Sequence, residues 1–209
     1  MSFSLFGAAY PFRGLFLAQA AHLVAAAHHI GLALEDLPSA MSLGRDIEAL
    51  GVAGRAASSE VLRQLALVGI RPIDRGDVQS LDLAFTEAAA AIDAVAVRLS
   101  LFRPTAVHGP AREVAARVTA MAREVEAEVA RLARQGPDEA AWGRVSRARS
   151  EGAGLVAVGL GGLYEEAEAG RASLLEVLAW SQLYDRLEAA VHRTARLAEV
   201  LHGVLLKQD

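Results

Sequence analysis

Cysteine is absent from the 209-residue chain. Disulfides, thiolate nucleophiles and sulfur-ligated zinc are therefore excluded together. Asparagine is missing as well, and Lys207 is the only lysine among 21 Lys and Arg residues. Because the thermophile signal is enrichment of Lys and Glu, this arginine bias points to a GC-rich genome and not to heat tolerance. Neither charge dominates: 21 basic residues face 25 acidic ones, so no basic surface advertises nucleic acid and no acidic tail advertises a cation scavenger. A long uninterrupted apolar run is also lacking. The greasiest stretch, residues 14–34, carries His22, His28 and His29, and "MSFSLFGAAYPFRGLF" has no basic cluster ahead of an apolar run. These features predict a soluble, cytoplasmic protein.

What remains is alanine and leucine. Apolar residues make up 53% and aromatics only 5%, the composition of packed helices, so the fold class is all-α. Proline and glycine punctuate six helical patterns, predicted at about 12–34, 43–68, 75–102, 111–134, from "QGPDEAAW" to about 169, and from beyond Gly170 to the end. Pro72 turns the chain, and Asp74 is placed to cap the third helix. In that helix Val78, Leu81, Phe85, Ala88, Ile92, Val95, Leu99 and Phe102 recur at steps of three and four. Val177, Trp180, Tyr184, Leu187, Val191, Thr194, Ala198, Leu201 and Leu205 do the same in the sixth. Both are seams for burial in a bundle. "RPTAVHGP" separates three helices from three, which predicts two related three-helix bundles, residues 1–103 and 104–209, packed side by side as one unit.

Candidate chemistry is thin. "GAGLVA" at 152–157 has the spacing of a dinucleotide fingerprint, but it follows an arginine-rich run and not a strand. Its glycines, with Gly159, Gly161 and Gly162, instead predict close approach of a neighbour and a loose or bent helix near Gly161. Glu199 and His202 form one Glu-x-x-His pair where a di-iron bundle needs two. His28 and His29 diverge on a helix, and His22 and His29 lie two turns apart with no carboxylate between them. No serine sits in a glycine-flanked elbow. Asp74 and Asp77 fall in a first helical turn, where they serve as cap and dipole partner, while the first helix lacks the basic belt of a membrane-surface helix. No enzyme and no cofactor is predicted.

Two stretches resemble a known family. "GIRPIDRGDVQSLDLAF", residues 69–85, is similar to the turn and helix start of the DUF47 proteins, relatives of the phosphate-signalling protein PhoU, on Pro72, Asp74, Arg75, Asp77 and Leu81. "EVLAWSQLYDRLEAAVHRTARLAEVLHGVLLKQD", residues 176–209, is similar to that family's closing helix, on Trp180, Tyr184, Asp185, Glu188 and Lys207. The resemblance implies a PhoU-like pair of three-helix bundles. It also implies a non-enzymatic cytoplasmic accessory of a Pit-type inorganic phosphate transporter, peripheral to the inner membrane through that partner. Family members hold divalent or trivalent cations on four Glu/Asp-x-x-x-Asp motifs. Carried over, those positions fall on Gly51 and Arg55, Thr86 and Ala90, Arg149 and Ala153, and Glu188 and His192, so one carboxylate of eight remains. The resemblance thus implies degenerate metal motifs, with Glu188, His192, Glu87 and Asp93 as residual candidates. Two alternatives stand beside it. One is a self-assembling or adaptor bundle that pairs through Leu183, Ala190, Leu197 and Val204 of the last helix; the other is a metal-binding PhoU-like protein using Glu188 and His192.

Overall fold

The computed structural model describes residues 12–37, 40–67, 75–104, 106–132 and 136–207. Within them lie six helices and no strand: α1 (Phe12–Glu35), α2 (Ala40–Leu67), α3 (Arg75–Phe102), α4 (Gly109–Arg131), α5 (Glu139–Glu168) and α6 (Leu174–Leu206). The all-α class and the six predicted helices are observed, with boundaries shifted by a few residues. The predicted roles of Pro72 and Asp74, and the predicted ends at Val68 and Arg134, lie outside the described residues.

Local chemistry accounts for five of the helix ends. Pro110 occupies the first turn of α4, where its missing N–H costs nothing. Asp138 caps α5 by accepting from the Ala140 amide at 2.9 Å. Ser173 and Glu176 cap α6 reciprocally: Ser173 Oγ accepts from the Glu176 amide at 3.2 Å and the Glu176 carboxylate accepts from the Ser173 amide at 2.8 Å. The Ser173 amide, and then the Ser173 hydroxyl that also donates to the carboxylate at 2.8 Å, hold the Glu176 carboxyl below its ordinary range. At the other ends, α3 stops as Arg103 enters the left-handed region at φ 45° ahead of Pro104, and α5 stops before Gly170 at φ 72°.

Burial follows the predicted seams. Seven of the eight α3 seam residues from Val78 to Leu99 are buried, with Phe102 half-buried, and the α6 seam is buried from Trp180 to Leu205. All six helices contribute to one continuous core. Helix α1 packs against α2, α3 and α4; α3 packs against α2 and α6; and α4 packs against α5 and α6. The Arg13 guanidinium at the start of α1 donates to the Ala130 carbonyl near the end of α4 at 2.9 Å, so this pair runs antiparallel. Asp77 near the start of α3 meets Lys207 after α6 at 2.6 Å, and Glu87 meets Arg193 one stretch inward at 2.9 Å, so α3 and α6 also run antiparallel.

Three expectations change. Helix α5 runs unbroken through Gly161 instead of loosening there, because the close approach happens elsewhere. A Cβ on Gly159 would strike the Tyr184 ring and one on Gly152 would lie 3.0 Å from Val191, so side chains of α6 fill the space those glycines leave. The stripe of Leu183, Ala190, Leu197 and Val204 is buried within the chain's own core, so it offers no surface for pairing with a copy. Finally, α1 is the one helix among the described residues long and apolar enough to cross a membrane, yet its Phe12 and Phe16 are fully buried against neighbouring helices.

Candidate functional site

The first candidate site grows from a polar knot where α1, α2 and α3 meet. Asp82 is buried, and its two oxygens accept from Gln19 Nε2 of α1 and Ser58 Oγ of α2, each at 2.8 Å. Two neutral donors thereby stand where water would otherwise solvate a buried carboxylate. Gln19 also lines a cavity of about 80 Å³ whose walls come from the same three helices. Glycine and alanine make the space: Gly51 and Gly54 on α2, Ala89 and Ala90 on α3, and Ala26 on α1.

All four family-motif positions of the first half, Gly51, Arg55, Thr86 and Ala90, line this single cavity. No carboxylate occupies any of them. Asp93 stands at the mouth, with Arg55 Nη1 at 3.8 Å from its Oδ2, a separation too long for a hydrogen bond. Burial pushes the Asp93 carboxyl up; the Arg55 charge opposes that shift and Glu48 adds to it. A Cβ on Gly51 would meet this carboxylate at 2.5 Å, so glycine lets Asp93 fold over α2.

The second half is different. Arg149 and His192 line an open depression together with Arg193, Arg196 and Glu199. Glu199 accepts from Arg149 at 2.9 Å and from Arg196 at 3.0 Å. Glu188 and His192 lie 3.8 Å apart on one face of α6, both about half exposed, and Ala153 adds no ligand. Glu87 is engaged by Arg193 at 2.9 Å, and Asp93 belongs to the first cavity. The four residual candidates therefore do not converge, and among the described residues no three His, Asp or Glu side chains group together as a metal site would need.

The other singled-out residues have structural duties. Leu81, Trp180 and Tyr184 are buried, whereas Asp185 and Arg75 are exposed. Asp77 lies in the first turn of α3 as expected, but it also forms an ion pair with Lys207. Glu199 and His202 part company: the first binds arginines, while the second stacks on Trp142 at 5.3 Å between ring centroids. A matching pair joins His108 and Trp180 at 4.6 Å, so each tryptophan carries a histidine on its ring. Burial holds the His108 imidazole below its usual value, against the pull of Glu166 and Glu176. Burial likewise pushes the Tyr184 phenol up to about 12 and raises the Glu128 carboxyl.

Comparison with protein-family models and with curated proteins finds no match for this chain. The Gln19–Asp82–Ser58 knot and the histidine–tryptophan stacks join residues far apart in sequence. The one local signal was an aspartate, Asp82, on the buried face of α3 beside the Leu81 and Phe85 seam.

Proposed function

We propose that the protein is a non-enzymatic helical accessory that docks on the cytoplasmic side of a Pit-type phosphate transporter, as a PhoU-like pair of three-helix bundles, 1–103 and 104–209. The resemblance of residues 69–85 and 176–209 to DUF47 proteins supplies the partner. Antiparallel pairing of α1 with α4 and of α3 with α6 supports the two-bundle reading, because a two-fold relation between halves sets each helix against its counterpart in that way.

The observation that carries the docking reading is at the α5–α6 turn. Leu174 and Leu175 are each 75% exposed and Leu178 is 51% exposed, one turn of a capped, rigid helix. Glu165, Glu166 and Glu168 stand exposed at the end of α5, across the short turn. Cytoplasmic loops of membrane transporters carry an excess of Lys and Arg, so an apolar patch whose rim is net negative, three exposed glutamates against the exposed Arg171 of the turn, complements them in sign. Without the family's carboxylate pairs, contact of rigid helix faces is the mechanism in place of cation binding.

Co-purification from native membranes tests this. The wild-type chain should recover a Pit-type transporter and its deletion should change phosphate uptake. Leu175→Arg, which adds charge at an exposed position without touching the core, should abolish recovery. Equal recovery by the variant, or an unchanged uptake rate with no transporter recovered, would defeat the reading.

A further inference from the structure

We propose that α3 carries a pairing surface for a second copy of this chain, on the face opposite its buried seam. Leu83, Val97 and Leu101 are 59%, 54% and 62% exposed. With Glu87, Ala90 and Ala94 they follow one another at steps of four, three, four, three and four, which at 3.6 residues per turn confines all six to about 80° of arc. Helix α3 is thus largely apolar on two faces. One packs on α1, α2 and α6, and the other lies open.

The order of the stripe says what covers it. Its steps read the same from either end, so an antiparallel two-fold pair sets Leu83 against the copy's Leu101, Glu87 against Val97 and Ala90 against Ala94. The alanines fall at the two-fold, where they let the helices close, and the large side chains fall toward the ends. Such self-complementarity is what an isologous interface needs and what an unrelated partner does not impose. Glu87, the one charged member, is drawn sideways to Arg193 of α6 at 2.9 Å. Arg98 lies about three turns from Glu87 on the same side of α3, and the two-fold brings it beside the copy's Glu87. Beside the Leu101 end an open groove of about 450 Å³ runs between α2 and α3, with Ile47, Ala96 and Val97 among its walls, where the copy's Leu83 enters. Arg45 and Arg55 line it against Glu48 and Asp93, so two like grooves do not repel. This surface makes no use of the leucines at the α5–α6 turn and is independent of the transporter reading.

Sedimentation velocity on the whole chain, over a concentration series, should show a reversible rise from the 22.0 kDa of one chain to twice that mass. Val97→Glu sets a carboxylate opposite the copy's Glu87, at a position exposed in the single chain. It should weaken the pair about tenfold or more and leave the melting temperature at low concentration unchanged. Because the chain has no cysteine, Ala90→Cys and Ala94→Cys each introduce a single thiol. When the two variants are mixed, one of them isotopically labelled, oxidation should link position 90 to position 94 in preference to like with like. A single-chain mass at every concentration up to the solubility limit, the result if a different protein covers the stripe, would overturn the proposal. So would undiminished pairing by Val97→Glu, or a preference for like-with-like links; should Val97→Glu fail to fold, the link pattern decides alone.

Discussion

Asp77 and Lys207 lie 130 residues apart in sequence and 2.6 Å apart in space, where the ammonium that follows α6 meets a carboxylate that is mostly buried at the start of α3. This contact joins the two stretches that carry the family resemblance and fixes the register of the α3–α6 pair. Lys207→Ala leaves the Asp77 carboxylate buried without that partner. It should lower stability by about 1–2 kcal/mol, read as a lower urea midpoint at constant slope. Asp77→Asn should cost less, because it removes the charge that needs the partner. Equal midpoints for wild type and Lys207→Ala would show the pair to be idle.

The glycines of α5 give a sharper contrast. Gly159→Ala puts a Cβ into the Tyr184 ring, whereas Gly161 and Gly162 face open space. Gly159→Ala should therefore destabilise by about 1–3 kcal/mol through overpacking. Gly161→Ala should stabilise by up to about 1 kcal/mol, since it removes the backbone entropy of glycine from a helix without a collision. Thermal melts of the two variants should move in opposite directions.

That contrast also marks how far the sequence could be read. The three-four rhythm of Val78 to Leu99 and of Trp180 to Leu205 placed α3 and α6 and their buried faces correctly, because a single helical period carries that information. Rhythm does not say what lies opposite. The glycine run of α5 announced close packing, but only the register of α6 reveals that Gly159 receives Tyr184 and Gly161 receives nothing. Likewise Leu183, Ala190, Leu197 and Val204 form a regular stripe that suits a partner copy or a core equally well, and the packing of α3, α4 and α5 around α6 makes it core. At the first candidate site, Gly51, Arg55, Thr86 and Ala90 were identifiable by register. The cavity they enclose, and the Gln19–Asp82–Ser58 knot beneath it, depend on three helices meeting.

His108 provides a pH test. Burial depresses its pKa, so the unfolded chain takes up the proton first as pH falls. Its stabilising contribution is therefore complete above about pH 6.5 and is lost progressively as pH drops from there through the folded value. Replacement by glutamine should flatten the fall of the melting temperature as pH drops below about 6.5. In a Trp142→Phe background Trp180 becomes the sole tryptophan, and because His108 stacks on it at 4.6 Å its fluorescence should titrate with a midpoint below 6.5. A midpoint above 6.5 would mean that Glu166 and Glu176 outweigh burial.

Asp93 shows the opposite sign at the mouth of the first cavity. Its carboxyl is raised by burial and its approach to Arg55 stops at 3.8 Å, so the charged form is under-compensated. A raised acid contributes stability that is full below its unfolded pKa of about 3.9 and is lost as pH climbs through the folded value. At neutral pH the charge is thus a net cost, and Asp93→Asn should raise the melting temperature there. The gain should shrink towards pH 4, where the native side chain becomes neutral as well. Arg55 is largely exposed and loses little by the change, since water already solvates it. A lower melting temperature for Asp93→Asn at pH 7 would mean that the ion pair outweighs the burial of the carboxylate, and would locate the stabilising charge contact of this site at Arg55.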